Sequence, residues 1–234
     1  MKLLFFMLIS FPLLGYCQSA DDSERKFSVG LSFSPDYCYR SIISDKSSVN
    51  DIICKNRDSI EIPKYGFTSG ISLKYRLNKT ISLESGVFYS EKGEKTKSIA
   101  LKSDIDEGFA KLKLIYHYSY LDIPLKVNIN LLTSKLKVYI SAGLVANIFM
   151  SNKNISYVEY TDGSTKSFSN NYNNEYNRLA LSFIAGLGLS YDISDKFTCK
   201  FEPSYKRFIT SATNTPIKGY FYSSGLNVGI DYKF

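Results

Sequence analysis

Eight charged residues sit where apolar and polar residues alternate. Lys74, Arg76, Glu84, Asp122, Lys126, Lys200, Glu202 and Lys206 share the polar side of such stretches. Both signs are present. Brought onto one face, they would either neutralise one another across strands or line a path for ions. His117 is the only histidine and is flanked by Tyr116, Tyr118 and Ser119. It is the one candidate base for a Ser-His-acid or Asp-His hydrolase, yet no second catalytic motif accompanies it. A ring at a polar–apolar boundary fits this aromatic run better. No residue is therefore assigned a catalytic role.

The cysteines are at positions 17, 38, 54 and 199. With one histidine to help, their spacing fits no zinc pattern, so neither a metal nor a cofactor is expected. Cys38 and Cys54 are near in sequence and in an oxidising compartment either pair or stand as two thiols. Cys199 has the parity of Phe197 and Phe201 and is expected on the apolar face, unpaired. The formal charge is +7, but the lysines are scattered. Without a basic stripe, nucleic-acid binding is not expected.

The elements that must position these groups are strands. Eight segments alternate with period two: Phe27–Tyr39, Tyr65–Leu77, Thr80–Glu91, Leu112–Asn130, Leu136–Met150, Arg178–Asp192, Lys196–Ile209 and Gly219–Phe234. In the fourth, Leu121, Ile123, Leu125, Val127 and Ile129 alternate with Asp122, Pro124, Lys126, Asn128 and Asn130. Pro124 cannot donate to a ladder, so a bulge or bend is expected there. Alternation alone does not say which face is inside. Two features favour apolar-out. The polar face is rich in Gly and Ser, which suits a narrow interior. The connections also alternate: Arg40–Lys64, Lys92–Lys111 and Ser151–Asn177 are long, whereas Asn78-Lys79, Leu131–Lys135 and Ile193–Asp195 are turns, the rhythm of a membrane barrel. Asp162-Gly163 reads as a hairpin turn inside the third long connection. The chain has 19 Tyr, 16 Phe and no Trp, and Tyr suits both membrane boundaries.

Residues 1–17 have the layout of a secretory signal: Lys2, an apolar run from Leu3 to Leu14, then Gly15 and Cys17 before a cut at Gln18. Tyr16 is too bulky for a lipoprotein site at Cys17. Residues 18–26 are then a short periplasmic segment and 27–234 one closed, antiparallel, up-and-down all-β barrel of about eight strands in the bacterial outer membrane. The final strand resembles the C-terminal signal read by the barrel-assembly machinery. Asn227, Gly229, Tyr232 and Phe234 occupy its polar, glycine and two hydrophobic positions.

Tyr120-Leu121-Asp122-Ile123-Pro124-Leu125-Lys126 and Val138-Tyr139-Ile140-Ser141-Ala142-Gly143 are similar to the mid-barrel pattern of the PorT-like outer-membrane β-barrel family of Bacteroidota. Gly186, Gly188 and the last strand fit it too. The resemblance implies a small barrel of the OmpA/OmpX type bathed in outer-membrane lipid, and little about activity. Three roles follow as expectations. The first is a non-enzymatic barrel presenting outer loops to envelope partners or serving a secretion assembly. The second is a small passive pore; the third, a rim hydrolase using His117.

Overall fold

The structure, a computed structural model, describes residues 26–45, 47–100, 109–132, 135–171, 173 and 175–234. The expected leader at 1–17 lies outside the described residues. Eleven strands and one helix follow in order: β1 (Phe27–Ile43), α1 (Ser48–Ile60), β2 (Glu61–Arg76), β3 (Ile81–Lys92), β4 (Glu94–Thr96), β5 (Ile99–Ala100), β6 (Phe109–Asn130), β7 (Leu136–Tyr160), β8 (Thr165–Asn170), β9 (Leu179–Asp192), β10 (Phe197–Phe208) and β11 (Lys218–Lys233). Every pairing is antiparallel. The ladder runs β1-β2-β3-β6-β7-β9-β10-β11 and returns to β1, where Leu31 faces Ile230. Eight strands thus close a ring, which leaves no unpaired edge at membrane depth.

The facing is the inverse of a soluble protein. On β6, Leu125 is 63% exposed, while the next residue, Lys126, is 3% exposed. Leu31, Ile71, Val87, Leu144, Leu187, Phe201 and Val228 are likewise exposed, and Ser32, Ser72, Glu84, Lys200 and Asp231 are buried. An apolar surface around a charged interior suits lipid and no other solvent. Aromatic rings bound the band. Phe27 contacts Tyr75, and Phe197 contacts Tyr232, at the end of the short turns. Tyr37 contacts Tyr65, and Phe67 contacts Tyr89, toward the other end.

Strands run farther than the alternation indicates. β1 continues to Ile43, β2 starts at Glu61, and β7 continues to Tyr160, where it turns at Asp162-Gly163 into β8. Gly163 has φ +83°, the left-handed conformation glycine tolerates. The first long connection also folds as α1, which buries none of its residues. The described residues of the long connections are therefore largely strand and helix.

The expected bulge at Pro124 is not there. Pro124 stays in register with Val145 of β7, and the two register shifts on β6 fall elsewhere, between Phe109 and Lys111 and between Ser119 and Tyr120. What Pro124 does is interrupt the ladder with β3, which resumes from Ser85↔Leu125 to Phe88↔Asp122. Pro35 lies in the same kind of gap between β1 and β11, and Pro203 between β10 and β9. Each proline removes a donor on one side only, and the wall absorbs it without bending out of register.

Candidate functional site

The interior is built in layers by inward side chains. Nearest the short turns, Asp192 accepts from Lys137 at 2.8 Å, Lys233 at 2.6 Å and Thr198 at 2.6 Å. Arg76 lines a small vestibule of about 60 Å³ there with Lys26 and Lys74.

Above it lies a six-residue charge network. Glu84 stands opposite Lys74 on β2 and Lys126 on β3's other neighbour, β6. Lys126 Nζ is 3.0 Å from Glu84 Oε1 and 3.3 Å from Glu202 Oε1. Lys200 Nζ is 3.6 Å from Glu84 and 3.3 Å from Asp231. Lys74 Nζ is 3.8 Å from Glu84 and 3.5 Å from Asp231. Three cations meet three carboxylates. Neutral donors complete the set: Asn128 gives to Glu84 at 2.9 Å, and Tyr139 and Ser141 give to Glu202 at 3.0 and 2.7 Å. Burial of this kind is tolerable only when every charge is paired. Gly188 makes room for the Tyr139 ring. A Cβ there would stand 2.0 Å from Tyr139 Cζ.

A second charged layer follows. Lys206 Nζ is 3.4 Å from Asp36 and gives to Thr68 at 2.8 Å. Lys92 Nζ is 2.9 Å from Asp122, which also accepts from Asn147 at 2.6 Å. A cavity of about 40 Å³ remains, bordered by Thr68, Lys126 and Lys206. At roughly 10–15 Å³ per water it has room for a few molecules. An aromatic layer caps it: Tyr120, Phe208, Phe221 and Tyr118, with Ala180 and Ala212 filling between. Ring centroids lie 5.5 Å apart for Tyr120–Phe208 and 4.7 Å for Tyr118–Phe221. Lys92 Nζ lies 5.1 Å from the Tyr120 ring, coupling charge layer to cap.

Beyond the aromatic boundary the strands continue and hold polar machinery of their own. Arg40 Nε gives to Glu94 Oε1 at 3.0 Å and its guanidinium also meets Glu61; Arg57 Nε reaches Glu61 at 2.9 Å. Burial pushes the Glu94 carboxyl up, against the lowering pull of Arg40. Over this lies an open cup of about 330 Å³.

Of the eight interior charges expected from sequence, seven join these ion pairs, and Arg76 lies at the vestibule. Asp36, Lys92, Asp231, Arg40, Glu61 and Glu94 were missed. The parity of Asp36 and Asp231 with Ser28–Ser34 and Asn227–Gly229 was the available signal. Gly229, assigned to the assembly motif, also has a packing role: a Cβ there would stand 2.7 Å from Lys200 Cε. Asn227 borders the 40 Å³ cavity. Tyr232 and Phe234 meet edge to face at 5.3 Å on the turn-end belt.

Cys38 and Cys54 are both free thiols. Cys38 is buried on β1 with Sγ toward the Asp36 carbonyl, and Cys54 is carried on α1, so a bridge is not formed. Cys199 is free and exposed on the apolar face.

His117 lies past the outer aromatic boundary. Its Nδ1 is 2.9 Å from Glu91 Oε1 and 2.6 Å from Lys64 Nζ. One nitrogen cannot donate to Glu91 and accept from Lys64 at once, so only one of the two contacts is a hydrogen bond in any one tautomer. The hydrogen bond from His117, followed by Lys64, draws the Glu91 carboxyl down to about 2. Among the described residues, no hydrogen bond ties His117 to a hydroxyl or thiol.

The outer membrane protein beta-barrel domain family model matches residues 18–206. No curated protein matches the chain in sequence. Among solved structures, Neisserial surface protein A (NspA) is 19% identical over 89% of this chain and 97% of its own, with a TM-score of 0.47. The outer membrane protein OprG from Pseudomonas aeruginosa is 11% identical over 90% and 97%, with a TM-score of 0.44. The outer membrane protease OmpT from Escherichia coli is 6% identical over 91% and 98%, with a TM-score of 0.42. With its closed antiparallel ring, apolar outer face and charged interior, the chain belongs to the outer membrane protein beta-barrel domain family and resides in the bacterial outer membrane.

Proposed function

We propose that this barrel is closed to ions and non-enzymatic, and that its working part is the outer rim, held out to partners in the envelope. The observation that carries this is the contrast between the two ends of one wall. Within the membrane, paired charge layers and an aromatic cap fill the bore. Beyond it, β6, β7 and β8 continue as a strand-built projection. A wall extended by hydrogen-bonded strand keeps a recognition surface preorganised, which lowers the entropic cost of binding. A conducting bore would need a continuous polar path, and an eight-strand interior is just wide enough to be filled.

A finer placement among PorT-like barrels of Bacteroidota, with a role in an envelope or secretion assembly, rests on Tyr120–Lys126, Val138–Gly143, Gly186, Gly188 and the last strand. Recognition by the barrel-assembly machinery through Asn227, Gly229, Tyr232 and Phe234 rests on the last strand's pattern.

The test is site-specific photo-cross-linking in intact cells. A probe at Lys166 on the β7–β8 projection should give discrete adducts that a probe at Asn78, in a short turn, does not. No rim adducts, or the same adducts at both ends, would overturn the reading.

A further inference from the structure

The cup at the loop end is built like a ligand site. It encloses about 330 Å³, at the small end of the ~300–1,000 Å³ typical of small-molecule pockets. Its floor is aromatic: Tyr118 and Phe221, both buried, with Tyr176 beside them at 5.3 Å from Tyr118. Tyr176 is fixed from behind by stacking on Phe149 at 4.9 Å and 17°. The segment carrying it is fastened to the neighbouring turn. Asn177 Nδ2 gives to Ser211 O at 2.9 Å, and Asn214 N to Glu175 O at 2.7 Å.

Among the described residues, Arg40 Nη1 and Asn154 Oδ1 in the lining have no hydrogen-bond partner. Arg40 is 5% exposed, its Nε is taken by Glu94, and its Nη1 donates to nothing. Asn154 Oδ1, on β7, is buried and accepts from nothing. Leaving such groups unpaired is costly, and a ligand that satisfies them recovers the loss. The cup therefore asks for an acceptor at Arg40, a donor at Asn154, and an apolar face over the rings.

We propose that the cup binds a neutral saccharide. A sugar hydroxyl is donor and acceptor at once, and the C–H face of a pyranose packs against an aromatic ring. Charge argues against a polyanion: Arg40 and Arg57 are outnumbered by Glu61, Glu94 and Glu175 around the cup. Walls of Asn and Thr argue against a purely apolar ligand. This inference rests on the outer rim being the working part.

The experiment is saturation-transfer NMR on the full chain in a zwitterionic detergent without a sugar headgroup. The probes are N-acetylglucosamine, lactose and maltose, with glucose 6-sulfate as the charged comparator and a tetra-alanine peptide as the chain comparator. At least one neutral sugar should give transfer, strongest at ring C–H protons. The signal should vanish in Tyr176→Ala and fall at least tenfold in apparent affinity in Asn154→Ala, whose change leaves the aromatic floor intact. Silence from every neutral sugar, transfer confined to the sulfate or the peptide, or signals indifferent to both variants would overturn the proposal. If the sugars are silent while rim-specific cross-links persist, only the sugar assignment falls. If rim cross-links are absent, the broader reading falls with it.

Discussion

Glu84 and Lys126 stand directly opposite each other on β3 and β6, their Oε1 and Nζ 3.0 Å apart and both nearly sealed from solvent. Their register makes the interior network part of the wall itself. Replacing Lys126 with Met should leave Glu84 and Glu202 short of a cation and destabilise the barrel by about 3–5 kcal/mol. The double variant Lys126→Met, Glu84→Gln should recover a substantial part. Urea unfolding in lipid vesicles, read by the heat-modifiable gel shift, measures both; equal losses in single and double variants would argue against coupling.

Gly188 faces the Tyr139 ring so closely that no side chain fits. Gly188→Val should cost about 1–3 kcal/mol through overpacking. Adding Tyr139→Ala should relieve most of the clash while losing the hydrogen bond to Glu202. If Gly188→Val folds with unaltered stability, the close approach is not present in solution.

Val228 is exposed in the apolar band between Phe33 and Phe201. Val228→Arg should cost about 2–4 kcal/mol in lipid. Asn227, its neighbour, points to the bore, so an arginine there should act through packing and not through lipid. Equal effects in bilayers of different acyl chemistry for both variants would contradict the facing.

The Glu91 carboxyl is held at about 2, against an ordinary 4.5. A depressed carboxylate adds stability that is fully present above its unfolded value and is lost as pH falls through the folded one. The stability difference between wild type and Glu91→Gln should therefore be level above ~4.5 and shrink between 4.5 and 2. A difference that is flat across this window would remove His117 and Lys64 as the cause.

The membrane part of the fold was legible because lipid enforces contrast. Leu125 and Lys126 cannot trade faces, so period two is written into every spanning segment. The contrast ends where the lipid ends. Ser90, Lys92, Glu94 and Thr96 keep strict inward parity, yet their outward neighbours Glu91 and Lys95 are also polar, so β4 and the end of β3 read as loop. Ser48–Ile60 was missed for a different reason: Val49, Ile52 and Ile53 do stand at helical spacing, but α1 buries no face and its short run lies inside a polar connection between two strands. The interior charges could be named from parity, but their partners could not. Lys200 and Glu84 meet across the bore through closure of the ring, which no local pattern encodes. The cup depends on Tyr176 and Arg40, 136 positions apart in numbering and both outside the alternating segments.

Paired charges and aromatic rings fill the bore. Single-channel recording of the purified protein in planar bilayers tests it most directly. The expected trace is silent at moderate voltage, with discrete steps appearing only when the plug is cut away, as in a combined Lys126→Ala, Glu202→Ala, Tyr120→Ala variant that still folds by gel shift. Regular conductance steps from the wild-type protein would contradict the closed barrel and return the small pore to first place.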